Sequence, residues 1–343
     1  MRNKLNTFIM NINLSPEISL ITIDDLPRLI ECVQRCYGES YPNPVMYDVV
    51  QLEGVIKKKL MHSVVARLDD GRIIGHCALS FDSSDNTSPE AGKMMVDPDF
   101  RGHHIAELMA KKRIEVAKEL NLVGFWTECV TNHPYSQKEM ISFNAIETGL
   151  FIGDVPPTLV MQDLENFQQT RMSLLTFYLP IQDHPHIIFL PSQHIEHLEN
   201  LAQSLNLQRS ILSPNKDGSG VTKLEATINV DIQTANISIS HIGKDFNTVV
   251  KNTLNEIELS NVASIYLDLP IELEAAANAY LALEDIGFFW GSWLPNYRNH
   301  KDILRLQKIY QKVDIDTIHC ARKEGELVKK YVIDEWARVS KTN

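Results

Sequence analysis

Met94-Met95-Val96-Asp97-Pro98-Asp99-Phe100-Arg101-Gly102-His103-His104-Ile105-Ala106 is the stretch whose reading decides the fold. Its apolar start suits a strand, Asp97-Pro98 breaks that strand, and a long amphipathic helix opens at its end. The first backbone N–H groups of such a helix have no partner within it, and the macrodipole adds partial positive charge where they point. A strand, turn and helix in this order make a ready site for a phosphate or pyrophosphate. Spacing then separates the candidates. A Walker loop needs Gly-x-x-x-x-Gly-Lys-Ser/Thr and a dinucleotide fingerprint needs Gly-x-Gly-x-x-Gly. Neither occurs here.

What does occur is Val96-x-Pro98-x-x-Arg101-Gly102-x-x-Ile105-Ala106, which resembles the acyl-CoA pyrophosphate loop of the GNAT N-acetyltransferases. That family's loop reads Arg/Gln-x-x-Gly-x-Gly/Ala. Arg101 and Ala106 fit its ends, and His104 stands where the middle glycine is usual. The resemblance implies acetyl-CoA as co-substrate, with its pyrophosphate on the backbone of Arg101, Gly102, His103, His104, Ile105 and Ala106. It implies that Met95 and Val96 contact the pantetheine, between two splayed central strands. The acetyl group would pass to an amine acceptor, either a small molecule or a protein.

The rest of the chain is consistent with this. Its 343 residues, 44% hydrophobic and 22% charged, form an ordinary globular composition, long enough for two modest domains. A net charge of −11 argues against nonspecific nucleic-acid binding and mildly favours cationic acceptors. Apolar runs are strand-sized, so no membrane span is expected. Phe8-Ile9-Met10 is too short for the core of a signal peptide. The five scattered cysteines suit reduced thiols, and the expected location is cytoplasmic.

Along the N-terminal half, strands are expected at Ser19–Ile23, Ser63–Leu68, Ile73–Phe81, Ala91–Val96, Phe125–Val130, Gly149–Gly153 and Ser173–Leu179. Helices interleave with them, and Asp69-Asp70-Gly71 signals a hairpin. The helix after the loop places Ile105, Leu108, Met109, Val116 and Leu120 on one face, with Lys112 snorkelling from it. The C-terminal half reads as a second, weaker copy. Trp126–Val130 aligns with Ser264–Asp268, and Gly149–Gly153 aligns with Gly287–Gly291 at the same offset. The expected fold is therefore α/β, with two tandem GNAT-like mixed-sheet domains. Residues 1–181 would be the acyl-CoA-binding domain and 182–343 a degenerate copy without the cofactor loop. That second domain would cover the acceptor cleft or mediate a homodimer.

Acyl transfer from a thioester to an amine needs a neutral amine, a polarised carbonyl and a proton for the thiolate. Glu128 and Glu90, on the neighbouring central strands, are the candidate bases. For Glu90 a solvated strand-end carboxylate is the plainer reading, and for Glu128 a catalytic and a structural role weigh equally. Many family members carry Asn-x-x-Ala-x-x-x-Tyr, whose tyrosine protonates the thiolate. Asn132 fits the first position and is grouped with the cofactor site, but Tyr135 replaces the alanine and Glu139 the tyrosine. Tyr135, His133, Ser136 or water are left as proton donors. Tyr41 and Tyr47, in the Pro-stiffened segment between the first two helices, are acceptor-pocket candidates. The clustered histidines His184, His186, His194 and His197 are read as a solvated linker and helix, and Cys32 with Cys36 as core. The rivals to an N-acetyltransferase are a catalytically silent acyl-CoA sensor and an interaction protein.

Overall fold

The computed structural model describes residues 15–159 and 170–342; the Phe8-Ile9-Met10 stretch lies outside them. The first half runs β1 (Glu17–Leu20), α1 (Leu26–Tyr37), α2 (Val49–Lys57), β2 (Met61–Arg67), β3 (Ile73–Ser80) and β4 (Glu90–Val96). It continues through α3 (Ile105–Glu119), β5 (Gly124–Val130), α4 (Tyr135–Ser142), β6 (Ile146–Val155) and β7 (Met172–Pro180). The second half starts with β8 (His186–Phe189), α5 (Ile195–Ser204), β9 (Arg209–Leu212), β10 (Lys223–Asn229), β11 (Thr234–His241) and α6 (Phe246–Glu258). It ends with β12 (Ser264–Pro270), α7 (Ala276–Glu284), β13 (Phe289–Arg298), β14 (Lys301–Ile309) and α8 (Lys323–Thr342).

Local sequence explains most of these elements. Pro27 sits in the first turn of α1, and Leu26, Leu29, Cys32, Val33 and Cys36 recur at three–four spacing, so one face buries against β2–β4. Gly71, at φ +85°, turns the β2–β3 hairpin. Three expectations shift. The first strand ends at Leu20, and Ile23–Asp25 is a 3-10 turn locked by Thr22 and Asp25. On α3, Leu108 and Leu120 are exposed while Arg113 is buried, lying over the Phe125 ring and pairing with Glu139 at 3.7 Å. Three of the four clustered histidines are packed: His194 bonds the Tyr331 hydroxyl at 2.6 Å, His197 stacks on the Tyr331 ring, and His186 bonds Glu272 at 3.0 Å.

All the strands except β8 and β9 form one twelve-stranded sheet in the order β1-β2-β3-β4-β5-β7-β6-β13-β14-β12-β11-β10. Both halves share a pattern within it. A hairpin (β6–β7, β13–β14) presents its second strand to an antiparallel neighbour (β5, β12), which is parallel to the strand before it (β4, β11). The two hairpins carry a bulge at the same place, just before Gly149 and just before Ser292. That bulge corrects the register of the repeat. Gly149 corresponds to Ser292, not Gly287; Trp126 corresponds to Tyr266, not Ser264; and Glu128 corresponds to Asp268. The halves join where Gly149 pairs with Ser292, so counterpart residues meet at the seam.

The sheet also curls back on itself. Thr87 N–H donates to the Tyr297 carbonyl (2.9 Å), Asn299 N–H to the Asp85 carbonyl (2.7 Å), and the Tyr297 hydroxyl to Asp82 (2.8 Å). The loop before β4 is thereby tied to the end of β13. This brings side chains of the second half across the sheet to the middle of β5.

Candidate active site

Strand β5 pairs with β4 only at Glu90–Trp126, with the Thr127 hydroxyl reaching the Ala91 carbonyl; beyond this the two parallel strands part toward their C-terminal ends. Lys93, at φ +56°, forms the bulge on β4 that starts the divergence. Met95 and Val96 follow it, held by β3 on one edge and facing the gap with the other. In the second half the counterpart strands, β11 and β12, stay paired from Thr234–Ser264 through Ser238–Asp268. No gap opens there at the level of Asp268.

The loop at the end of β4 is anchored by a group the sequence reading passed over. Asp97, 2% exposed at its side chain, accepts from Arg35 Nε at 2.6 Å and from Arg72 Nη2 at 2.9 Å, and its other oxygen takes the Asp99 N–H. Arg72 also lies over the Phe100 ring. Only the acid-then-proline step hinted at this role, because both arginines are distant in sequence. These partners hold the Asp97 carboxyl below the ordinary aspartate range against the opposing effect of burial. A group with a lowered folded-state pKa adds stability above its unfolded pKa and loses it as pH falls through the folded value. Asp97→Ala is expected to cost about 2–3 kcal/mol at neutral pH, with a smaller deficit in acid, because the pair is only partly sheltered. Urea denaturation at two pH values measures both.

After Asp97 the chain turns through Gly102 (φ +82°) and His104 (φ +58°) into α3. His104 therefore takes the left-handed backbone of the glycine it replaces, a conformation that costs about 1–2 kcal/mol for a residue with a Cβ. It caps α3 without a side-chain hydrogen bond, leaving the first-turn N–H groups to an external acceptor. Arg101, His103 and His104 are exposed around this turn, with Arg101 Nε donating to the Val96 carbonyl at 3.3 Å. In the second half the chain before the matching helix is instead tied to the loop at residues 218–222. Ser219 N–H donates to the Ile242 carbonyl, Lys244 N–H to the Gly220 carbonyl, and Thr222 N–H to Asp245, which precedes α6.

Glu128 lies midway along β5 on the same face as Trp126. Its carboxyl is pushed well above the ordinary glutamate range, first by burial and then by the charges of Asp154 and Glu90, with Arg305 and Lys93 opposing. Glu90 sits at the paired end of the gap, opposite Trp126 and 3.8 Å from Lys93 Nζ. Tyr41 approaches Glu90, and burial together with the nearby Tyr37 and Glu90 raises its phenol. Tyr47 serves the turn instead: its hydroxyl donates to the Gly38 carbonyl and accepts from Tyr41 N–H. At the C-terminal end of β5, Asn132 Oδ1, His133 Nδ1 and Ser136 Oγ are buried without a hydrogen-bond partner, as is Trp126 Nε1. Tyr135 is 75% exposed, with its ring against His133. The sheltered donors at this end are thus His133 and Ser136, and burial keeps the His133 ring below its usual pKa.

Among the described residues, two side-chain groups have metal-ligand chemistry, His186–Glu272–Asp302 and His194–Glu284–Glu335. In each, an arginine already neutralises the acids: Arg209 on Asp302, and Arg338 on Glu284 and Glu335.

Residues 26–138 match the Acetyltransferase (GNAT) family. This part of the chain is a GNAT acetyltransferase domain. Solved structures similar to it include the ribosomal-protein-S18-alanine N-acetyltransferase of Escherichia coli, at 14% identity and a TM-score of 0.39 over 49% of this chain and 95% of that one. An N-acetyltransferase from Staphylococcus aureus Mu50 is similar at 15% identity and a TM-score of 0.39, over 49% of this chain and 100% of that one. No curated protein matches the chain. Among the described residues, no helix is long and apolar enough to cross a membrane.

Proposed function

We propose that the chain is an N-acetyltransferase that moves the acetyl group of acetyl-CoA to a primary amine. The observation that carries this reading is the parting of β4 and β5, with an open helix start at one end and Glu128 on its wall. Met95 and Val96 offer backbone groups to the pantetheine, and the Arg101–Ala106 turn holds the pyrophosphate. The unpartnered buried atoms of Asn132, His133 and Ser136 suit the sulfur end of the co-substrate. Acetyl-CoA supplies an acetyl group activated as a thioester. Glu128 accepts a proton from the acceptor nitrogen as that nitrogen bonds to the acetyl carbon and the carbon–sulfur bond breaks. His133 or Ser136 returns a proton to the leaving sulfur, so the products are an amide and free CoA. Glu90 and Tyr41 line the acceptor's entrance, and the carboxylates there favour a cationic amine.

Residues 182–343 form the second unit in this reading, a copy whose β11 and β12 stay paired and which lacks a counterpart of the Arg101–Ala106 turn. Binding should therefore be one-to-one. The unpaired state of all five cysteines supports a cytoplasmic setting. Calorimetric titration of the full chain with acetyl-CoA, followed by CoA release across a panel of amines and peptides, tests the proposal. Arg101→Glu should weaken acetyl-CoA binding on the order of tenfold by placing a like charge at the pyrophosphate. Unchanged affinity in that variant would refute the loop assignment. Binding without release for any amine would make the chain a sensor.

A further inference from the structure

The strand register makes Asp268 the counterpart of Glu128, yet the two acids have different surroundings. Asp268 is held by Arg305, on β14, which donates to it through Nε at 2.7 Å and Nη2 at 3.0 Å, with Arg298 Nη2 farther off at 3.8 Å. The same guanidinium reaches the Tyr297 hydroxyl at 3.3 Å and lies over the rings of Trp126, Phe151 and Tyr297 at 5.7, 5.7 and 5.4 Å. Two of those rings, Trp126 and Phe151, belong to the first half, and Trp126 stands two residues before Glu128 on the same face of β5. Arg305 is thus fixed by the second half and directed onto the central strand of the first.

We propose that Arg305 is a positioning residue for acetyl transfer: clamped by Asp268, it holds the Trp126 ring and supplies the positive charge that allows Glu128 to ionise as the base. The inference rests on the reading of Glu128 given above and adds a working role for the second half. The charged groups facing Glu128 support it. Glu90 on β4 and Asp154 on β6 oppose ionisation; Lys93 on β4 and Arg305 favour it. Lys93 bonds the Ser80 hydroxyl (2.9 Å) and lies near Glu90, and Arg171 is tied to the carbonyls of Gly153, Asp154 and Ile232. Tyr266, the Trp126 counterpart on β12, lies close to Asp154. Arg305 is the cation that the Trp126 contact places on Glu128's own face of β5, and it belongs to the half that lacks a cofactor loop.

The test is a carboxyl-carbon NMR titration of the full chain labelled with 13Cδ-glutamate, in which the signal missing from Glu128→Gln identifies Glu128. In Arg305→Gln, which keeps a hydrogen-bond donor for Asp268, the Glu128 midpoint should rise by about one unit or more. Arg305→Lys should restore most of the wild-type midpoint. The acid limb of the acetyl-transfer rate should move with it, while acetyl-CoA affinity stays constant. An unmoved midpoint in a folded Arg305→Gln would overturn the proposal. If that variant does not fold, an Arg305→Lys midpoint raised as far as removal of the charge requires would do the same. The titration needs no turnover, so a chain that binds acetyl-CoA but transfers nothing would defeat the enzyme reading and leave this result intact.

Discussion

Glu128→Gln should lower turnover by about two to four orders of magnitude, the usual contribution of a positioned general base, and leave acetyl-CoA binding largely unchanged. Glutamine keeps the shape of the side chain and removes only its capacity to accept a proton. In the proposed mechanism the reacting nitrogen lies near the thioester, whereas binding rests on β4 and the α3 entrance, so kcat should fall without a parallel loss of affinity. The raised pKa of Glu128 adds a second signature. The wild-type rate should climb with pH through a midpoint above that of an ordinary glutamate, since only the ionised form takes the proton. Stability should move the opposite way. A carboxyl whose folded pKa exceeds its unfolded one binds more protons when folded, so stability falls as pH rises from the unfolded value through the folded one. Glu128→Gln cannot lose that proton, and it should melt higher than wild type at alkaline pH, with the gap closing in acid. Full activity in this variant would remove Glu128 from the mechanism; equal melting at all pH values would remove its buried charge from the account.

The parts of this site that were legible in the sequence are those written in short-range chemistry. Pro98, the Arg101–Ala106 spacing and the amphipathic run after it locate the strand, turn and helix within a residue or two. Asp69-Asp70-Gly71 marks the hairpin because a tight turn needs few residues. That the second half repeats β5 and β6 as β12 and β13 was legible too, but not the register of the repeat. The connection between the counterpart strands is longer in the second half, so Glu128 and Asp268 differ by 140 in number and Gly149 and Ser292 by 143, and a constant sequence offset cannot register both. Contacts between distant segments were out of reach. Asp97 meets Arg35 and Arg72 because α1 and the β2–β3 turn pack beside the end of β4, while Trp126 meets Arg305 and Thr87 meets Tyr297 because the sheet curls. Arg113 shows the limit from another side. Periodicity places an arginine in water, and only the Phe125 ring and Glu139 make its burial tolerable. Tyr135 marks a third case, since its position in a motif says nothing about the exposure of its hydroxyl.

Gly149→Ala should destabilise the chain by about 2–3 kcal/mol, large for so small a substitution, because the added methyl has nowhere to go. A Cβ at Gly149 would lie 2.3 Å from both the Gly291 carbonyl oxygen and the Ser292 Cα. These are backbone atoms, so no side-chain rotation relieves the clash. The seam has little else to yield. Gly149–Ser292 is the pairing that joins β6 to β13, and beside it the Thr148, Thr176 and Ser292 hydroxyls share buried hydrogen bonds, with Thr176 and Ser292 at 2.7 Å. Gln307 spans the same joint, donating to the Leu150 carbonyl at 2.8 Å and accepting from Ile152 N–H at 2.9 Å. Forcing the strands apart breaks hydrogen bonds whose groups are sealed from water, which adds desolvation to the steric cost. It also shifts β13 and β14, and with them Tyr297 and Arg305, away from Trp126. A urea titration should therefore show a lower midpoint, and the Glu128 carboxyl signal should titrate later in the variant than in wild type. An unchanged midpoint would mean that the halves are not held by this seam. Lost stability with an unmoved Glu128 would mean that the seam holds the halves together without setting the charge at the site.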